Sequence, residues 1–175
     1  MGVRNCLIEG VSGAGKTTVA EELERRGYHV VHGDRAFAYY GDPESGEPLA
    51  QPMNKSEEDA IEWGYQHWIW PLQRVRAILA AQNHPVTFFC GGSRNRHLFI
   101  DYFDKVFVLE VDPVTLTGRL ETRPDDVFGG RPLERTHTFR MLESRSDIPR
   151  NAISIIATAP VTRVVDSILS YCDIS

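Results

Sequence analysis

Short continuous apolar runs alternate along the chain with stretches whose apolar positions recur at helical spacing. Residues 3–8 read as a first strand, buried and central. A helix follows over 16–26, with Val19, Ala20 and Leu23 on one stripe. Its early Glu21 and Glu22 and late Arg25 and Arg26 suit the helix dipole, and Gly27 closes it. Residues 28–31 form a second short strand, ending in Gly33-Asp34-Arg35. Apolar runs at 85–90, 106–111 and 153–157 predict three more strands. Asp112-Pro113 caps a helix that runs to Arg123-Pro124, a second runs over about 132–145, and the last carries Val161, Val164, Val165, Ile168 and Leu169 at helical spacing. Strands that are apolar throughout and alternate with helices predict an α/β fold: a five-stranded parallel sheet with helices on both faces.

Two stretches depart from this rhythm. Residues 36–55 lack periodicity and are broken by Gly41, Pro43, Gly46, Pro48 and Pro52, so they read as a long loop. A long helix follows from Ser56, with Asp59 completing a cap and Ile61, Tyr65, Trp68, Leu72, Val75 and Leu79 on one face. Pro71 should kink or split it. The three tryptophans read as core. The second exception is the polar, glycine-bearing excursion at about 123–132, with Asp125, Asp126, Gly129 and Gly130.

At 175 residues the chain makes one domain, with 42% hydrophobic and 25% charged residues, as in ordinary globular proteins. A net charge of −5 without a basic stripe argues against a nucleic-acid partner. No apolar run reaches membrane-spanning length, and Met1-Gly2-Val3-Arg4-Asn5-Cys6 does not read as a signal peptide or myristoylation site, so the expected location is cytoplasmic. Three cysteines without a C-x-x-C read as buried thiols, and the six histidines show no metal-ligand spacing.

The sharpest motif is Gly10-Val11-Ser12-Gly13-Ala14-Gly15-Lys16-Thr17, a P-loop pattern without substitution between a strand and a helix. The glycines let the backbone curl and turn its N–H groups toward phosphate oxygens, Lys16 adds a positive charge near the β/γ-phosphates, and the Thr17 hydroxyl suits Mg²⁺. Ser12, Ala14 and Thr18 complete the nucleotide-binding stretch. Phosphoryl transfer also needs a group for the acceptor and cations on the moving phosphoryl. Asp34 ends a strand on the same sheet edge as the P-loop, where a carboxylate can take a hydroxyl proton or hold a magnesium-bound water. Arg119 and Arg123 share a helix face, and Arg131 sits beside Gly129-Gly130, where a lid can close. Arg94 and Arg96 flank the acceptor side: one is expected to hold an anionic group, the other to be solvated. Phe37, Tyr39 and Tyr40 suit stacking on a base, whereas Asp42, Glu44 and Glu47 suit a cationic acceptor if they face the site.

In the order of its elements nearly the whole chain resembles the nucleoside/nucleotide kinase group of P-loop proteins, above all shikimate kinase and gluconate kinase. Gly33-Asp34 matches the position that binds acceptor and a magnesium-bound water in those families. Gly91-Gly92 with Arg94 resembles the glycine-rich acceptor loop, Arg131-Pro132-Leu133 resembles the end of the lid, and Arg145 falls near a substrate arginine. The resemblance implies ATP and Mg²⁺ as cofactors, with Thr17 and Asp34 toward the metal, Arg119, Arg123 and Arg131 toward the nucleotide, and Lys16, Asp34 and Arg123 in catalysis. It implies a small-molecule acceptor held by Asp34, Arg35, Gly91, Gly92, Arg94 and Arg145 within a region of about 35–70, with the 123–132 lid above. Adenylate kinases carry an acid at the end of the third strand; Cys90-Gly91 stand there in this chain, which makes Asp34 the only nearby carboxylate. A monomer or weak dimer is expected. The rival reading is a nucleotide-dependent switch or regulatory ATPase without an acceptor.

Overall fold

The computed structural model describes residues 3–172; Met1 and Gly2, part of the leader reading, lie outside them. Strands β1 (Arg4–Glu9), β2 (His29–His32), β5 (Val86–Cys90), β6 (Lys105–Glu110) and β7 (Ile153–Ile156) form one parallel sheet in the order β2-β5-β1-β6-β7. The strand before the P-loop is thus central. Side chains alternate across it: Cys6 and Ile8 face one apolar cluster and Leu7 the other, as Phe88 and Cys90 oppose Phe89. The larger cluster is closed by α1 (Lys16–Arg25), α5 (Pro113–Glu121) and α7 (Val161–Tyr171). The smaller is closed by Val75 of α4 (Leu72–Ala80) together with Trp70, Phe99 and Phe103. Burial on both faces explains why the strands read as unbroken apolar runs. No helix among the described residues is long and apolar enough to cross a membrane.

Local signals placed most boundaries. Gly27 has φ 87° just past α1, Ser56 Oγ accepts from Asp59 N at the start of α3 (Glu57–His67), and Asp112 accepts from Thr115 N before Pro113. Two regions differ from expectation. Gly33-Asp34-Arg35, which carries no helical pattern in the sequence, forms a single helical turn, α2 (Gly33–Ala36). The long helix is split around Pro71 as expected, into α3 and α4, but Trp68–Ile69 leaves it as a short strand, β4, antiparallel to β3 (Tyr39–Tyr40) inside the expected loop. The backbone there pairs with the turn after β5: Arg94 N donates to Trp68 O (2.9 Å), and Trp70 N to Ser93 Oγ and Asn95 Oδ1 (both 3.1 Å). The proline disfavours helix at the residue before it, and the aromatic, β-branched Trp68-Ile69-Trp70 run favours the extended form. Residues 122–131 run as turns between α5 and α6 (Pro132–Ser144).

Candidate active site

The carboxyl ends of β1, β2 and β5 lie side by side, so the P-loop, the Asp34 turn and the Gly91–Asn95 turn converge at one edge of the sheet. They border a cavity of about 510 Å³ whose far walls are α3 and α6.

The P-loop begins where β1 ends and delivers its last residues to the first turn of α1. Gly10, Gly13 and Gly15 take φ of 153°, 83° and 107°, and a Cβ on Gly13 would lie 2.8 Å from Leu116 Cδ1. The turn therefore needs glycine both for conformation and for close packing on α5. Lys16 Nζ donates to Gly10 O (2.6 Å) and Val11 O (3.1 Å), and burial holds its pKa below the ordinary lysine value. Gly10, Val11, Ser12 and Lys16 line the cavity, whereas Thr17 and Thr18 are exposed on α1.

Asp34 is held with unusual definition. Its Oδ1 accepts from Trp68 Nε1 (3.2 Å), Trp70 Nε1 (3.3 Å) and Gly92 N (3.2 Å). Among the described residues nothing bonds Oδ2, and the residue lines the cavity. Gly91, at φ 146°, permits this approach: a Cβ there would meet Asp34 Oδ1 at 2.7 Å and Trp70 Cζ2 at 2.8 Å. Trp70 is fully buried as core, but Trp68 lines the cavity, so one of the three tryptophans serves the site rather than the core.

The arginines divide. Arg119 lies behind the P-loop, donating to Gly13 O (3.3 Å), Ala14 O (3.0 Å) and Ala157 O (2.7 Å). Arg123 Nη1 joins Ser12 Oγ and Phe128 O, both at 2.6 Å, tying the 122–131 turns to the P-loop. Arg131 lines the cavity and pairs with Glu134 (2.7 Å) and Glu57 (3.4 Å). Arg94 lines it as well, bonded to Tyr65 Oη (2.6 Å) and to Asp147. Arg96 is not solvated as expected: it is mostly buried and bridges Glu9 (3.2 Å) and Asp147 (2.6 Å). Arg145 has left the end of α6 with φ 50° and pairs with Glu110 (2.8 Å), outside the main cavity. Arg35 is exposed and does not border it.

Asp34 is not the only carboxylate at the edge. Glu57, Glu134 and Asp147 also line the cavity, and Glu9 is buried beneath the P-loop. These acids lie far apart in sequence, and no short motif flags them. Burial pushes the Glu9 carboxyl up to about 7 against the pull of Arg96. Burial would also raise Asp147, but Arg94 and Arg96 outweigh it and hold that carboxyl below its usual value. Of the early aromatics only Tyr40 reaches the cavity, packed on Trp63 and Trp68. Asp42, Glu44 and Glu47 do not border it; Asp42 instead caps the 42–45 turn through the amides of Glu44 and Ser45.

A glycine-lined ring of amides at a helix N-terminus, with a buried ammonium, is a phosphate site. A family model described as an AAA domain matches residues 6–130. The chain belongs to this family. Nucleotide binding follows from that membership and its intact P-loop. Among solved structures, the chain is similar to a sugar kinase from Janibacter sp. HTCC2649 (19% identity, 99% and 96% of the two chains covered, TM-score 0.59). It is similar to shikimate kinase from Bacteroides thetaiotaomicron (17%, 98% and 99%, 0.58) and to a gluconokinase from Sinorhizobium meliloti 1021 (23%, 95% and 90%, 0.51). No curated protein matches. At these identities the likeness establishes a P-loop kinase fold for this family member.

The Arg119 contacts carry a prediction. Arg119→Ala removes the two bonds that brace the P-loop carbonyls of Gly13 and Ala14 and the one that ties them to Ala157 after β7. ATP affinity, measured calorimetrically, is expected to fall about tenfold, the size of one charge-assisted hydrogen bond. Unchanged affinity would show that the guanidinium braces nothing the nucleotide needs.

Proposed function

We propose that the protein is an ATP-dependent kinase that transfers the γ-phosphoryl of MgATP to a small metabolite. The observation that carries this is Asp34: its Oδ1 is fixed by two indoles and an amide, and its Oδ2, unbonded among the described residues, lies beside a cavity of about 510 Å³ bordered by the P-loop. A phosphate site needs no such carboxylate; an acceptor hydroxyl does.

The P-loop amides and Lys16 would hold the nucleotide phosphates, and Thr17, with Asp34 through a water, would hold Mg²⁺. The ion supplies charge neutralisation on the phosphate oxygens. Asp34 takes the acceptor proton as the acceptor oxygen forms its bond to the γ-phosphorus; the bond to the β,γ-bridging oxygen breaks and ADP leaves. Lys16 offsets the charge that grows on the transferring oxygens, and Arg123, joined to Ser12 of the P-loop, would assist it. Phe128 and Arg131 overhang the cavity from the 122–131 turns and α6, where closure would exclude water from the transfer. The test is ADP release from MgATP with and without a library of small hydroxyl compounds. Acceptor-dependent release is expected. Release at one rate, with or without any compound, would mark an ATPase or switch.

A further inference from the structure

Every arginine at the cavity already has an internal carboxylate. Arg94 is bonded to Asp147, stacks with its guanidinium carbon 4.3 Å from the Tyr65 ring centre, and is bonded to that tyrosine's hydroxyl. Arg96 reinforces Asp147 from below through its side chain (2.6 Å) and its carbonyl (2.5 Å). Arg131 is taken by Glu134 and Glu57. Lys16 belongs to the nucleotide phosphates. Without Lys16 the lining holds Asp34, Glu57, Glu134 and Asp147 against Arg94 and Arg131, a surplus of carboxylate. The remaining walls include three aromatic side chains, Tyr40, Trp68 and Phe128, and the aliphatic Ile61 and Met141. His137 is buried between Tyr65 and Phe128, 3.4 Å from Glu62; burial holds its pKa below the ordinary value against the pull of that carboxylate.

A carboxylate or phosphate on the acceptor would have to share with Asp147 a guanidinium whose Nη1 already bonds that carboxylate and Tyr65. The incoming anion would then sit beside the mostly buried Asp147 carboxylate in a lining that already carries surplus negative charge, a costly approach. A hydroxyl makes no such demand, and aromatic walls favour the apolar faces of sugars or bases. We infer that the acceptor is a hydroxyl compound bearing neither carboxylate nor phosphate, and that Asp147 sets this choice by occupying Arg94. The inference rests on the kinase reading and narrows it.

The test uses matched pairs that differ by one acidic group, glucitol with gluconate and adenosine with AMP, in acceptor-dependent ADP release. A neutral member is expected to be used with kcat/KM at least about tenfold above its anionic counterpart, the worth of one unmatched charged contact. Asp147→Asn keeps the shape and frees Arg94, and should lower that preference at least about tenfold through the KM of the anion. Asp147→Ser, with the same freed arginine and less crowding, serves if the asparagine protein does not fold. Preference for the anionic member by the wild type overturns the inference and leaves the kinase reading standing. So does a preference unmoved by freeing Arg94. ADP release indifferent to these four and to every compound of the hydroxyl library, with MgATP bound, sinks the kinase reading and the inference with it.

Discussion

Lys16→Ala is expected to lower acceptor-dependent turnover about a hundred- to a thousandfold, the cost of removing one preorganised group that meets developing charge. The ammonium now bonds two P-loop carbonyls, 2.6 and 3.1 Å away, and burial disfavours its charge. Phosphate oxygens arriving beside it would compensate a cation whose desolvation cost is already met in the fold, so little is lost on binding. The same burial means that the folded protein gains little from this charge. The melting temperature of Lys16→Ala should therefore stay within a few degrees of wild type. Turnover by initial rates and melting by calorimetry check the two halves separately. Wild-type turnover in a well-folded Lys16→Ala protein would remove the basis of the kinase reading.

The fold was legible because each strand is buried on both faces and therefore appears as an apolar run, and because helix caps are local. The P-loop was legible for the same reason: its chemistry lies in eight consecutive residues. What escaped depends on distant pairing. Trp68 fell on the helical stripe, yet the backbone at 68–70 pairs with the Gly91–Asn95 turn and with Tyr39–Tyr40, and this pairing wins over helix propensity. Only the aromatic run before Pro71 hinted at it. Arg96 passed for a surface charge because its two carboxylates, Glu9 and Asp147, are 87 and 51 residues away. Glu9 was hidden by position, an acid one residue past the apolar run at 3–8, with its buried partner far along the chain. The acceptor wall drawn from Glu57, Glu134 and Asp147 has no sequence signature at all, since the three lie on separate elements.

Asp34→Asn is expected to lower acceptor-dependent turnover about a hundred- to ten-thousandfold, the range for loss of a general base. The substitution is unusually clean at this position. An amide oxygen can still accept from Trp68, Trp70 and Gly92, so the side chain should keep its place while the outward atom changes from a carboxylate oxygen to an NH₂. If Asp34 takes the acceptor proton, ATP affinity in the presence of Mg²⁺ should hold, because the P-loop amides and Lys16 are untouched. If it holds a magnesium-bound water instead, MgATP affinity should fall along with the rate, while affinity for ATP without the metal does not. If the carboxylate only anchors two indoles and the Gly92 amide, weaker neutral hydrogen bonds should lower the melting temperature and spare the rate per folded molecule. Rate, affinity with and without Mg²⁺, and melting on this one variant therefore separate three roles. A protein that melts lower yet turns over normally would return Asp34 to the architecture. The cavity beside its Oδ2 would then need another base, and Glu57, Glu134 and Asp147 are already paired with Arg131 and Arg94.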